Sequence, residues 1–288
     1  MIRSLLFVPG DSSRKFASAL RTAADALILD LEDSVALTQK AQARQDTLNM
    51  LRAPEVAASH MKMFVRVNAL DTGLTLPDLA AVMPAAPFGI VLPKCSSGQD
   101  VITLSHYLDA FEAASHLTAG QTRILGIATE TAASLFGLGS YARASARLWG
   151  LMWGGEDLQA SLGSTTNQVD GRWTDPYRVA RSLCLAGAAA AGVEAIDTVA
   201  TDIRNLEAVS TEAKAARRDG FTGKAVIHPS HVEPVNTAFT PTADEVNWAH
   251  RVIQAFADQP EAGVVQMDGK MVDKPHLRAA QRILGNKT

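Results

Sequence analysis

The sequence predicts an α/β protein: a (β/α)₈ TIM barrel followed by a C-terminal helical extension that serves as a lid or arm. Three observations predict this fold. Short apolar runs alternate with amphipathic stretches, the alternation occurs eight times, and carboxylates follow several of the runs. Continuous apolar runs of this length suit strands that are buried on both faces of a parallel sheet. Eight such units fit a closed barrel better than an open sheet, which usually has fewer strands.

Turn and capping residues separate the predicted strands from the helices that follow them. The first run ends before Gly10, where Asp11 or Ser12 can cap a helix that extends to about residue 22. Asp175, followed by Pro176, likewise begins the helix after the sixth strand. The predicted strands comprise residues 4–8, 26–31, 63–67, 89–92, 124–128, 148–152, 194–198 and 224–227. The predicted helices comprise about residues 12–22, 37–53, 75–83, 99–114 and 131–141, and three more begin near residues 175, 202 and 230.

The chain continues beyond the eighth unit, and the sequence divides into a catalytic barrel at 1–240 and an extension at 241–288. Thr242 is expected to cap a helix that ends near Asp258. A glycine-containing segment, EAGVVQMDGKMVDKP, follows, and the last predicted helix comprises residues 276–284. A barrel does not need this segment, which is therefore predicted to be a lid, an arm onto another subunit, or both.

The composition excludes several classes of function. The net charge is −3, from 27 basic and 30 acidic residues, and no basic run is long enough to indicate binding to nucleic acid or to a membrane surface. Two cysteines, Cys95 and Cys184, form no disulfide framework in a chain of this size and favour a reducing cytoplasm. The apolar stretch at the N-terminus is too short for a signal peptide, and no stretch approaches a transmembrane span.

Carboxylates collect where the fifth and sixth predicted strands end. Glu130 follows the fifth strand, and Glu156 and Asp157 follow the sixth after Gly154 and Gly155. Because the carboxyl ends of parallel strands meet at one end of a barrel, two such acids can hold one hard divalent cation, with water and substrate oxygens as the other ligands. The sequence therefore favours a magnesium site. The alternative is that these acids cap helices or pair with a surface arginine.

Arg66 and His228 each allow a structural and a functional interpretation. Arg66 lies inside an otherwise buried strand, where it either pairs with Asp30 or Glu32 or faces the substrate and stabilises developing negative charge. His228 follows the eighth strand, where it either hydrogen-bonds the backbone or acts as a general base. No dinucleotide-binding, P-loop or serine-hydrolase motif is found. The other polar residues near predicted strand ends are Asp33, Asn68, Lys94 and Asp197.

Eight short motifs occur in order along nearly the whole chain, from residue 3 to about residue 284. They are LLFVPG, ADALILDLEDSV, VRVN, GIVLPK, the strand that ends at Glu130, GGEDL, GKAVIHP and DGKMVDKPH. Together they resemble the citrate lyase β-subunit-like family of the HpcH/HpaI aldolase group of metal-dependent carbon–carbon lyases. The resemblance implies a TIM barrel whose C-terminal arm closes near a neighbouring site in a homotrimer or hexamer. It also implies coenzyme A or acyl-carrier thioesters of 3-hydroxy acids as substrates and oxo acids as products.

The resemblance also implies roles for individual residues. Glu130 and Asp157 match the family's magnesium ligands, Arg66 matches its substrate-contacting arginine, and Asp273 matches a catalytic carboxylate on the C-terminal segment. Glu32 and Asp33 are expected to support the metal site indirectly rather than bind the cation. The further expected substrate contacts are Glu130, Gly155 and Glu156, and the expected contacts to coenzyme A phosphates are Arg14 and Lys15, whose alternative is an ordinary solvated first helical turn.

Four functional hypotheses follow. The first is a magnesium-dependent lyase that cleaves or forms citramalyl-, malyl- or citryl-coenzyme A. The second is a thioester hydrolase on the same scaffold. The third is the β subunit of a multi-subunit citrate lyase, acting on a carrier-bound thioester or serving only to dock the carrier. The fourth is an aldolase acting on free acids, which the missing histidine near the first strands disfavours.

Overall fold

The structure is a computed structural model that describes residues 1–285. Within these residues, eight parallel strands close into a barrel in the order β1-β10-β9-β6-β5-β4-β3-β2, and two separate hairpins pair β7 with β8 and β11 with β12. The strands are β1 (Ser4–Pro9), β2 (Ala26–Asp30), β3 (Lys62–Arg66), β4 (Gly89–Leu92), β5 (Arg123–Ile127), β6 (Leu148–Met152), β7 (Gln168–Val169), β8 (Arg172–Trp173), β9 (Glu194–Asp197), β10 (Gly223–Val226), β11 (Val264–Met267) and β12 (Lys270–Asp273). The helices are α1 (Ser13–Ala19), α2 (Lys40–Leu51), α3 (Pro54–Ala57), α4 (Thr75–Val82), α5 (Gly98–Ala114), α6 (Ser134–Gly137), α7 (Glu156–Leu162), α8 (Asp175–Ala191), α9 (Leu206–Asp219), α10 (Val232–Phe239), α11 (Ala243–Ala257) and α12 (Lys274–Ile283).

The barrel strands are mostly apolar on both faces because each of them is covered on both sides. Alternate residues such as Leu5, Ile28 and Phe64 form one apolar cluster inside the barrel. Their neighbours, such as Leu6 and Leu27, belong to a second cluster between the strands and the outer helices. Successive side chains of a strand point to opposite faces, so both faces need apolar residues. The predicted fold class, an α/β barrel with a C-terminal helical segment, is confirmed.

The predicted helix at 131–141 is largely replaced by shorter pieces. Only α6 and a 3₁₀ turn at Leu138–Tyr141 are helical in this stretch. The run Ser134–Tyr141 contains Gly137 and Gly139, and glycine disfavours a helix interior. The chain after β5 therefore has two short helical pieces instead of one full outer helix.

The polar loop predicted between the sixth strand and the next helix contains more structure than expected. Helix α7 begins at Glu156, and β7 and β8 form a small antiparallel hairpin. Its turn residues, Asp170 and Gly171, have φ values of 50° and 69°. Positive φ at both central residues is the geometry that tight two-residue hairpins require.

A buried ion pair lies at the amino-terminal end of the barrel strands. Arg147, directly before β6, donates from Nη1 and Nη2 to the Glu112 carboxylate on α5 (2.7 and 2.6 Å). The same carboxylate accepts the backbone N–H groups of Gly120 (2.7 Å) and Thr122 (2.8 Å). Burial by itself raises the pKa of Glu112, but the hydrogen bonds from Arg147 and the two N–H groups outweigh it and lower the pKa to about 2.

The chain divides into two compact units, one at Ile2–Phe239 and one that comprises Met1 and the chain from Thr240 onward. In the second unit Thr242 caps α11 through a reciprocal capping box with Glu245. The glycine-containing segment forms the hairpin of β11 and β12, and the apolar side chains of this unit form their own cluster around Phe256 and Val265. Residues 286–288 of the predicted extension lie outside the described residues. No helix within residues 1–285 has the length and apolarity needed to cross a membrane.

Candidate active site at the carboxyl end of the barrel

A cavity of about 670 Å³ lies at the carboxyl end of the barrel strands. Strand ends and the loops after them supply its walls, which is the position where barrels of this class place their chemistry. Its apolar lining includes Phe7, Ile127, Met152, Trp153, Val199 and Ile227. Its polar lining includes Lys15, Asp30, Asp33, Arg66, Glu156, Asp157 and His228.

The register of the barrel brings Arg66 and Asp30 together. The two residues are direct partners at the ends of β3 and β2. Arg66 lies two positions after Phe64, and Asp30 lies two positions after Ile28; Phe64 and Ile28 both face the barrel interior. Because side chains alternate between the two faces of a strand, Arg66 and Asp30 face the interior as well. Arg66 donates from Nε and Nη2 to the two Asp30 oxygens, at 2.7 Å each. The structural interpretation of Arg66, an ion pair with Asp30, is confirmed, and its contact with substrate stays a prediction.

Glu32 extends this pair into a network of charges. Its carboxylate lies 2.7 Å from Arg66 Nη1 and 2.7 Å from Lys94 Nζ, and Lys94 Nζ is also 3.3 Å from Asp157 Oδ2. Burial raises the pKa of Glu32 in spite of the two cations beside it. Burial by itself lowers the pKa of Arg66, but Asp30 and Glu32 together raise it. Glu32 therefore contacts both cationic side chains, Arg66 and Lys94, and its indirect support of a metal site stays a prediction.

Glu130 is buried beside this network. Its carboxylate accepts the backbone N–H of Lys94, a residue with a positive φ of 51°. Burial, together with the nearby charges of Glu32 and Asp157, raises the pKa of Glu130 to about 8. The carboxyl group is thus held where its negative charge is poorly compensated by the protein.

The loops after β5 and β6 are joined to each other. Thr129 Oγ1 accepts the Gly154 N–H (2.9 Å) and lies 3.1 Å from the Gly154 carbonyl oxygen, to which it donates. A Cβ atom at position 154 would lie 2.8 Å from Glu130 Cγ, so only glycine allows this approach. Gly155 then precedes Glu156 and Asp157, which form the first turn of α7. The joined loops place Glu130 against Gly154, and Gly155, Glu156 and Asp157 line the cavity, whereas Glu130 is not among its lining residues in the described chain.

The residues present fit a hard divalent cation held by Glu130 and Asp157. Carboxylate oxygens are the ligands that Mg²⁺ prefers, and the ion usually keeps several waters and substrate oxygens rather than a complete protein shell. Within residues 1–285 no cluster of three or more histidine, cysteine or acidic side chains forms a closed metal cage. Lys94 Nζ lies 2.7 Å from Glu32 and 3.3 Å from Asp157, so a cationic group already contacts acids of this region. The charge of Arg66 lowers the pKa of Glu130, against the effect of burial, and a bound cation would favour the ionised carboxylate in the same way.

Two other residues predicted at strand ends have structural partners. Asp197 follows the inward-facing Ile196, so it points outward, where it contacts Lys224 Nζ (2.8 Å) and accepts the Trp153 indole N–H (2.7 Å). His228 Nδ1 lies 2.7 Å from Ser230 Oγ and accepts the Ser230 N–H (3.3 Å), which is the backbone role considered for it. His228 also lines the cavity.

The remaining predicted site residues are not all brought together. Lys15 lines the cavity, whereas Arg14 is exposed on α1 and is not among the lining residues of the described chain. Asp273 belongs to the C-terminal unit, where it ends β12 and immediately precedes α12, and its Oδ1 lies 2.5 Å from His276 Nδ1. The hydrogen bond from His276 lowers the pKa of Asp273.

Trp173, which packs against the loop that carries Gly155, is not predicted from the sequence. Its ring centroid lies 4.9 Å from that of Trp153 in an edge-to-face arrangement. The Asp170-Gly171 pair, with Val169 before it and Trp173 after it, is a recognisable hairpin signal that could have revealed this element.

Comparison with known proteins agrees with this architecture. The model of the family described as HpcH/HpaI aldolase/citrate lyase matches residues 3–229, and a model described as a carbon–carbon bond lyase of the TIM-barrel fold matches residues 184–287. The citrate lyase subunit beta of Haemophilus influenzae is 35% identical over 98% of this chain and 95% of that protein. The (3S)-malyl-CoA thioesterase of Cereibacter sphaeroides is 34% identical over 98% of this chain and 93% of that protein.

Among solved structures, the chain is similar to the protein CitE from Mycobacterium tuberculosis in complex with magnesium, acetoacetate and coenzyme A. The identity is 35%, the TM-score is 0.77, and the match covers 99% of this chain and 97% of that one. Fold and site together define a barrel enzyme of the lyase class. The chain belongs to the HpcH/HpaI aldolase/citrate lyase family.

Proposed function

We propose that this protein is a magnesium-dependent lyase of 3-hydroxyacyl-coenzyme A thioesters, such as citramalyl-, malyl- or citryl-coenzyme A. Cleavage yields an oxo acid and an acyl-coenzyme A by way of a thioester enolate, and condensation is the reverse reaction. The observation that carries the proposal is the network of carboxylates and cations around Glu32, Arg66 and Lys94 beside the cavity. The structural relative solved with magnesium, acetoacetate and coenzyme A supports it.

Glu130 and Asp157 are proposed to hold the cation. The chemistry that Mg²⁺ supplies in such a site is Lewis-acid polarisation of the hydroxyl and carboxylate oxygens of the substrate. Gly155 and Glu156 are proposed to contact the oxo-acid end of the substrate, which is supported by their position in the cavity lining next to Asp157. The apolar wall formed by Phe7, Ile127 and other residues excludes water from the same space.

Arg66 and Asp273 are proposed to act on the enolate. Breaking the carbon–carbon bond leaves negative charge on the thioester, and the Arg66 guanidinium at the cavity wall can stabilise it. Its bonds to Asp30 fix the guanidinium plane but leave other N–H groups for substrate. In cleavage the substrate hydroxyl loses its proton to water as the oxo-acid carbonyl forms and the carbon–carbon bond breaks, and protonated Asp273 gives a proton to the enolate carbon. In condensation the Asp273 carboxylate removes that proton. Lys15, which lines the cavity, and Arg14, the residue before it on α1, are proposed to contact the phosphates of coenzyme A.

The direct test is an assay of the purified chain with malyl-, citramalyl- and citryl-coenzyme A, each with Mg²⁺ and with excess EDTA. We expect release of glyoxylate, pyruvate or oxaloacetate that depends on Mg²⁺, followed by mass spectrometry of both products. The identity of the oxo acid names the substrate. Absence of turnover by a chain that still binds Mg²⁺ would favour a carrier-bound thioester and a multi-subunit citrate lyase, as the similarity to the Haemophilus influenzae subunit allows.

A thioester hydrolase is the second candidate, because one relative of similar identity is named as a malyl-CoA thioesterase. The same assay separates the two functions. A hydrolase releases free thiol and the intact hydroxy acid, whereas a lyase releases an oxo acid and keeps the thioester bond.

A further inference from the structure

The hairpin of β7 and β8 packs directly against the loop that carries Gly155, Glu156 and Asp157. The Trp173 ring lies 4.9 Å from the Trp153 ring at an interplanar angle of 76°, and 6.1 Å from the Tyr177 ring. Trp153 is fully buried, and its indole N–H donates to Asp197 Oδ1. Trp173 is therefore held between two aromatic rings that are themselves fixed in the core.

Gly155 lies in contact with both indoles. A Cβ atom at this position would lie 3.1 Å from carbon atoms of the Trp153 and Trp173 rings. Beside it, Asn167 Nδ2 donates to Glu156 Oε1 at 3.0 Å. Two consecutive loop residues thus depend on side chains that come from the hairpin, and Asp157 is the next residue along the chain.

The hairpin is anchored to the barrel at its base. The Thr174 N–H donates to the Asn167 carbonyl oxygen (3.0 Å), which closes the hairpin. The hydroxyls of Ser164 and Tyr177 are hydrogen-bonded to each other, and Tyr177 is fully buried on α8. Trp173 is not among the cavity-lining residues of the described chain, so it can act on a ligand only through the loop.

We propose that Trp173 is a positioning residue: the hairpin holds the backbone of Gly155 and Glu156 in place and thereby sets the affinity of Asp157 for the divalent cation. The part of this inference that concerns the cation rests on the proposed function. Side chains that orient metal ligands without touching the metal commonly change metal affinity by about 10–100-fold. Because Gly155 and Glu156 line the cavity, a change in the hairpin that supports them would also change which substrates the cavity accepts.

The test compares Trp173→Ala with the conservative Trp173→Phe and with Val169→Ala, a control on an exposed side chain of the same hairpin. Hydrogen–deuterium exchange of the peptide that covers residues 153–158 is measured without ligand, and Mg²⁺ binding is measured by calorimetry. We expect exchange of this peptide to be about tenfold faster in W173A, because the aromatic contacts that hold the loop are lost. We expect the Mg²⁺ dissociation constant to rise about tenfold or more in W173A, and W173F and V169A to stay near wild type.

Asn167→Ala is a second variant that leaves the aromatic packing intact and removes only the bond to Glu156. It is expected to show the same changes to a smaller extent, and it keeps the test valid if W173A does not fold. Wild-type exchange in both W173A and N167A would overturn the inference, as would faster exchange with an unchanged Mg²⁺ dissociation constant. A wild-type protein that binds no Mg²⁺ would overturn the proposed function instead, and the exchange rates would then support or overturn the positioning role by themselves.

Discussion

Glu130 is the residue whose environment is most unusual at this site. It is buried, the Lys94 backbone N–H donates to its carboxylate, and burial together with the charges of Glu32 and Asp157 raises its pKa. A buried acid without a cation of its own is costly to ionise. A metal ligand needs this charge, and the burial of Glu130 therefore supports its proposed role in binding the cation.

Replacing Glu130 by Gln tests this role with little change in shape. The amide oxygen can still accept the Lys94 N–H, but the negative charge is lost. We expect the Mg²⁺ dissociation constant to rise by more than about 100-fold, beyond the range typical for residues that act indirectly, and lyase turnover to fall to background. Calorimetry and the oxo-acid assay measure the two effects. Glu55→Gln, on the exposed helix α3, is the matched control, and an E130Q variant that binds Mg²⁺ like wild type would exclude Glu130 as a ligand.

The lowered pKa of Glu112 predicts that the free energy of unfolding depends on pH. Its pKa is about 2 in the folded protein against an ordinary value of 4.5, so the folded state favours the ionised form. The resulting stabilisation is complete above about pH 4.5 and is lost as the pH falls toward 2. The lowering of the Glu112 pKa from 4.5 to about 2 corresponds to about 3 kcal/mol in the free energy of unfolding.

We therefore expect Glu112→Gln to lower the free energy of unfolding by about 3 kcal/mol at pH 7, because Arg147 loses its buried partner. The difference from wild type should shrink as the pH is lowered from 4.5 toward 2. Urea unfolding at several pH values measures it. Asp109→Asn removes the exposed partner of the same arginine and should cost less than about 1 kcal/mol. A constant difference across the pH range would contradict the prediction.

At the scale of secondary-structure elements, the alternation of strand side chains decides which polar residues reach the cavity. Arg66 and Asp30 lie two positions after inward-facing residues of their strands, so their side chains point inward. Asp197 and Lys224 are each adjacent to an inward-facing residue, so their side chains point outward. The first pair lines the cavity, and the second pair forms a buried bridge outside the barrel. A position at a strand end is thus insufficient for a functional role, since one residue of shift along a strand reverses the face.

The prediction at this scale concerns the hairpin of β11 and β12. Asp273 precedes α12, and Asn is as good an N-cap residue as Asp, so Asp273→Asn should keep the helix and lose the proton-transfer group. We expect turnover to fall by about 10²–10⁴-fold while the Mg²⁺ dissociation constant stays unchanged. Steady-state kinetics and calorimetry separate the two.

Asp268→Asn is the control for this variant, because Asp268 lies in the turn of the same hairpin and pairs with Arg251 on the surface. Its φ of 52° is tolerated by Asn, so the turn is retained. Equal losses in D273N and D268N would show a general disturbance of the hairpin, and full turnover in D273N would remove Asp273 from the mechanism.

For the whole molecule, the family resemblance predicts a homotrimer or hexamer. Large apolar side chains are exposed on the barrel unit, among them Phe136, Val179 and Leu183, with exposed fractions of 93%, 54% and 41%. Val179 and Leu183 are four residues apart on α8 and so lie on one face of that helix, and exposed apolar patches are typical of subunit contacts. Light scattering after gel filtration is expected to give a mass of three or six times the 30.6 kDa of one chain. A mass of one chain, unchanged with concentration, would contradict the prediction.

The sequence by itself determined the order of elements and the chemistry available at the strand ends. The eight apolar runs, the capping role of Thr242 and the placement of Glu130 and Asp157 after neighbouring strands are local properties of the chain, and the structure agrees with each of them. Family motifs then extended this reading to metal and thioester chemistry. Helix 131–141 was predicted less well, because its two glycines weaken a pattern that otherwise looks helical.

Only the tertiary structure decided which side chains meet. The pairing of Arg66 with Asp30, the position of Lys94 between Glu32 and Asp157, and the packing of Trp173 on Gly155 join residues that are distant along the chain. Such contacts depend on strand register, on the face each side chain takes and on the closure of the barrel. These are non-local quantities, and for that reason the sequence named candidate site residues but could not say which of them contact one another.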